Sequence, residues 1–137
     1  MQNALMRFST SIVPDSATML SATFMLSPIA PAKSADRLSL TGEWYNWGAS
    51  IGAEGFSSAP VGAAFRVPVS ALVSGDNTIA LSAPATNVNL TGLTYRTHIS
   101  QLPGDAPPTG VNGVTMGAFD NLTQPGSALE VCYTLGP

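Results

Sequence analysis

Ionic side chains are scarce in this sequence. Charged residues make up 9% of the 137 positions, against roughly 25% in typical soluble domains. Disorder does not account for the deficit. Disordered chains are rich in charge and poor in apolar residues, whereas 45% of this chain is hydrophobic. The outside must therefore be a skin of Ser, Thr, Asn, Gly, Pro and Ala, which costs little to desolvate. Isolated domains usually keep more charge for solubility, so this surface is expected to be covered by partner subunits. Basic residues are scarcest of all: five Lys and Arg stand singly along the chain, and the net charge is −3. With no basic arm or stripe, direct nucleic-acid packaging or readout is not expected.

Other absences narrow the field further. No apolar run reaches the roughly 18 residues that a membrane-spanning helix needs, so no membrane partner is expected. Around the N-terminal apolar stretch, Pro14 and Asp15 break what would otherwise resemble a secretion signal, and residues 1–16 read as mature structure, an extended strand or arm. Cys132 is the only cysteine. It cannot form an internal disulfide, and it fits a protein made in a reducing cytoplasm. His98 is the only histidine, too few for a zinc site of the usual kind. No nucleophile elbow accompanies it. "GDAPPTGVNG" has no lysine with which to cradle phosphate. Glu43 and Glu54 are weak candidates for a glycosidase pair. Asp76, Asp105 and Asp120 fall in loops, where turn-making is the expected role. The chain is therefore expected to be no enzyme, with no catalytic residues, cofactor or metal.

What the sequence does have is alternation with period two, the mark of a half-buried strand. It groups Leu20, Ala22, Phe24 and Leu26 on one face, then Leu38 and Leu40, then Val61, Ala63, Phe65, Val67 and Val69. Further on it groups Leu93, Tyr95, Thr97 and Ile99, and finally Leu129, Val131, Tyr133 and Leu135. Stretches such as "SPIAPAKSA", "SGDN" and "LPGDAPPTG" separate these runs with turn chemistry. Adding 4–12 and 111–118 gives about eight strands. The pattern predicts an all-β chain: one domain over 1–137, an antiparallel β-sandwich or jelly roll.

One stretch predicts more detail. In "VPVSALVSGDNTIALSA", residues 67–83, Pro68 suits a strand end because it has no N–H to donate. Ser70 is placed to cap a short helical turn near 70–74. Gly75 supplies positive φ, and Asp76 and Asn77 bring turn-forming side chains. The segment resembles one found in galactose-binding-like β-sandwich domains attached to glycoside hydrolases and lyases. That resemblance implies jelly-roll topology and brings carbohydrate into view.

Two sets of residues are candidates for contact. In "GEWYNWG", Trp44, Tyr45 and Trp47 lie close together. On an extended chain Tyr45 and Trp47 share one face and could lie against a sugar ring. The alternative places Trp44 in the core and Trp47 at the sandwich end or against a neighbouring subunit. Arg37, Arg66 and Arg96 fall in strand segments. In so charge-poor a chain they are expected to pair with acids, within the sandwich edge or across a subunit contact.

In overall character the chain resembles the head decoration, or cement, proteins of tailed phages: small, β-rich, poor in cysteine and charge, and without a catalytic set. The resemblance implies a part made in the host cytoplasm that sits on the capsid exterior. Its implied partners are the major capsid protein and copies of itself, often as a trimer. Two other readings stand beside it: a carbohydrate-binding module for a surface glycan, and a single jelly-roll capsid shell protein.

Overall fold

The computed structural model describes residues 3–31, 33–34, 38–45, 59–88, 93–100, 112–116 and 126–136. Its strands are β1 (Asn3–Phe8), β2 (Ala17–Leu26), β3 (Lys33–Ser34), β4 (Ser39–Trp44), β5 (Gly62–Pro68), β6 (Asn77–Ala80), β7 (Leu93–Ser100), β8 (Asn112–Gly113) and β9 (Ala128–Leu135). In β3, β7 and β8, and in β1 apart from Met6 and Phe8, the description is of the backbone. The chain is all-β and its sheets are antiparallel. A four-stranded sheet runs β1-β7-β4-β5, a three-stranded sheet runs β6-β2-β9, and β3 pairs with β8. Among the described residues, six strands are six residues or longer. The strand expected over 111–118 shrinks to the two-residue β8 and a lone bridge from Met116 to Pro28. The arm expected over 1–16 is, in its described part, β1 paired to β7, followed by a turn that buries Thr10 and Val13.

One core lies between the two larger sheets. Ala22, Phe24 and Leu26 of β2 enter it from one side, and Leu40, Trp44, Ala64 and Phe65 from the other. The Phe24 ring stacks on Phe65 with centroids 5.6 Å apart and meets the edge of Phe8 at 6.3 Å. Residues just after β6 stitch the sheets together: Leu81 N–H donates to Ala22 O on the three-stranded sheet, and Ser82 N–H donates to Ala64 O on the four-stranded one.

Two of the predicted faces need correction, and bulges explain both. Along β2 the register against β9 slips between Met19 and Ser21, leaving Leu20 as the extra residue. Leu20 is 62% exposed, while Met19 packs on the core in its place. Along β5 the slip against β4 falls between Ala63 and Phe65, which makes Ala64 the extra residue. Ala64 and Phe65 are consequently both buried, and Val61 and Ala63 face outward. An inserted residue shifts every position on one side of it to the opposite face. On β9 the alternation is kept, with Leu129 and Val131 packed on the core. Tyr133 and Leu135 run past it and are exposed. For Leu93, Tyr95, Thr97 and Ile99 the backbone register is described, with Tyr95, Thr97 and Ile99 opposite Trp44, Gly42 and Leu40; their side chains lie outside the described atoms.

The turn at 69–77 is built as a knot around one amide. A short 3-10 turn occupies Val69–Ala71, with Pro68 as its N-terminal flank and no side-chain cap, so the capping role expected of Ser70 is not used. Gly75 has φ of 95°, as its turn requires. Asn77 accepts from Val73 N–H at 2.9 Å and donates to the carbonyls of Val73, Gly75 and Leu26. Beside it, Ser27 Oγ donates to Asp76 Oδ1. Asn77→Asp turns the donor into an acceptor facing three carbonyls. It is expected to cost about 2 kcal/mol of folding stability, measured as a lower urea midpoint with an unchanged slope. A single one-turn helix follows over Pro84–Asn87, where the sequence reads as plain loop.

Candidate interaction surface

The aromatic segment after β4 goes inward. Trp44 closes β4, is 2% exposed, and donates from Nε1 to Ser82 O at 2.9 Å. Its indole is thereby tied to the stitch that joins the sheets. Tyr45, the next residue, is 7% exposed. Two adjacent residues can both be buried here because β4 ends at Trp44 and the alternation stops with it. Neither ring offers a free face to a sugar, so the platform expected of Tyr45 loses that member. Trp47 lies outside the described residues.

The arginines divide in the same way. Arg66 is exposed on β5 opposite Thr41 and makes no ion pair among the described residues. Arg96 stands in β7 with its backbone opposite Glu43 of β4 and Leu5 of β1; its side chain lies outside the described atoms. Arg37 lies outside the described residues.

A surface feature that the alternation does not reveal lies at the far end of the three-stranded sheet. There Ala17 pairs with Leu135, Thr18 with Thr134 and Met19 with Tyr133. Apart from Met19, which packs on the core, this ribbon runs past it and leaves Leu135 at 61% and Tyr133 at 38% exposure, and Leu20, turned out by the bulge, adds a further bare side chain at 62%. The signal for it is indirect: strand residues of apolar type continue after the facing sheet has run out. Ile12, Val61 and Val73 add further exposed apolar side chains. Around them, exposed carboxylates are few, with Asp15, Asp76 and Glu130 among those described.

Among the described residues no group of three or more His, Cys, Asp or Glu could hold a metal ion. No described helix is long and apolar enough to cross a membrane. Comparison of the chain with family models, curated proteins and solved structures yields no match.

Proposed function

We propose that this chain is a non-enzymatic structural part of a virion, a decoration protein that binds the major capsid lattice from outside and stabilises the head. The observation that carries the reading is the scarcity of charge, 9% of residues, joined to large apolar side chains left bare at Ile12, Leu20, Val61, Val73 and Leu135. Desolvating such a surface costs little, because few ions lose their hydration. Each contact is modest, but a lattice repeats it, and linked contacts bind far more tightly than single ones. The finer jelly-roll form belongs to the same proposal. It is supported by the links β1 to β2, β5 to β6 and β6 to β7, each of which crosses between the two sheets.

The test is removal. Heads assembled without this chain are expected to burst on dilution or mild heating, and added protein is expected to restore them. Heads equally robust with and without it would refute the reading. The carbohydrate-binding alternative is not carried further, since Tyr45, one of the two rings of its platform, is buried.

A further inference from the structure

We infer that β9 is a self-association edge, through which two copies of the chain pair antiparallel and join their three-stranded sheets into one. The edges of the two larger sheets are not equally guarded. Natural edges are blunted by short strands, bulges, proline or an inline cation. On the four-stranded sheet, β5 carries the Ala64 bulge and Pro68, and Ala64 O already accepts from Ser82. At the other end of that sheet, β1 has Arg7 within six residues. On the three-stranded sheet, β6 is only four residues long. The remaining edge, β9, has eight residues, "ALEVCYTL", without Lys, Arg or Pro, and the bulge in its pairing lies on β2. Among the described residues, no backbone hydrogen bond joins β9 to anything except β2.

The occupant follows from the strand's own pattern, which reads nearly the same in both directions about Cys132. Setting Cys132 opposite Cys132 of a second copy places Leu129 against Leu135, Val131 against Tyr133, and Glu130 against Thr134. Apolar positions meet apolar positions, and the one carboxylate meets a hydroxyl. A register centred on Glu130 would instead oppose two carboxylates, which is unfavourable. The chosen register also covers the overhang. Tyr133 and Leu135, exposed in the single chain, come to lie beside Val131 and Leu129 of the other copy, which pack on its core. A two-fold contact of this kind uses the same patch on both copies and closes on itself. The inference does not rest on the capsid reading, and failure of head binding leaves it intact.

Cys132 is exposed and serves as the reporter. Directly opposed residues of an antiparallel pair have Cα atoms about 4.5–5.5 Å apart, within the span of a disulfide. The full chain is examined by light scattering and then treated with diamide, which takes up the two electrons and two protons released as the two thiols join. The expected result is a dimer by scattering and a covalent dimer on a non-reducing gel, the latter absent in Cys132→Ser. Tyr133→Lys with Leu135→Lys is expected to weaken association by about tenfold or more while the circular dichroism stays native. Leu135→Lys alone, at a more exposed position, serves if the double variant unfolds. Ser70→Lys, exposed away from β9, is expected to leave self-association unchanged. A wild-type monomer at every concentration, a dimer that Cys132 does not cross-link, or a dimer indifferent to Leu135→Lys would overturn the inference.

Discussion

Phe24→Ala is expected to remove about 3–5 kcal/mol of folding stability. Domains of this kind have only some 5–15 kcal/mol in total, so the variant should stand near the edge of unfolding at room temperature. Three observations set the size of the effect. The Phe24 side chain is fully buried. Its strand is central in its sheet, with Phe24 between Ile79 of β6 and Leu129 of β9. Its ring carries the contact between sheets, stacked on Phe65 and edge-on to Phe8. Truncation therefore removes apolar area and leaves a hole bounded by both sheets, which cannot close without moving one of them. Urea unfolding followed by tryptophan fluorescence measures the loss, since Trp44 sits in the same core. A cost under about 1 kcal/mol would be the value for a surface site, and would mean that the ring does not lie between the sheets.

The second large effect is expected from the smallest change. Gly42 lies in β4 opposite Phe65, and the ring of Phe65 occupies the space a side chain would need. A Cβ at Gly42 would stand 2.5 Å from Phe65 Cδ1 and 2.8 Å from Cζ, and closer still to Cε1. The ring cannot retreat freely, because its other face is stacked on Phe24. Gly42→Ala is thus expected to cost about 3 kcal/mol, the upper end for an overpacked core. Phe65→Leu makes room for the methyl group. The double variant should accordingly lose less than the sum of the two single losses, a coupling of about 1 kcal/mol or more. Strict additivity would show that the clash is relieved elsewhere and that the ring does not hold this position.

These two sites show which parts of the fold were legible beforehand. Phe24 and Leu26 could be placed in the core from alternation alone, because β2 from Ser21 to Leu26 keeps period two. Leu20 could not, because a bulge turns it outward and nothing in "TMLSA" announces the extra residue. Ala64 is the same case on β5, where a small apolar residue looks alike on either face. Gly42 reads as a common loop or strand residue, and its role appears only once Phe65 is brought across from β5. The turn at 69–77 was legible in its glycine and in Asn77, whose type suits the purpose, but not in its missing serine cap. The candidate surface was the least legible part. Trp44 is buried, as the core reading of this segment has it, but Tyr45 reads as suited to display beside Trp47, and it is buried too because β4 ends just before it. The β9 overhang could not be seen at all from one strand, because exposure there depends on where the opposite sheet stops.

The central claim is that this charge-poor exterior is covered by neighbouring protein in its working state. Electron cryomicroscopy of the intact particle tests it most directly. The account predicts a β-rich density of 14.0 kDa per copy on the outer face of the head, repeated at symmetric positions and bridging capsid subunits. A bare outer lattice, with the chain recovered free in the supernatant, would contradict it.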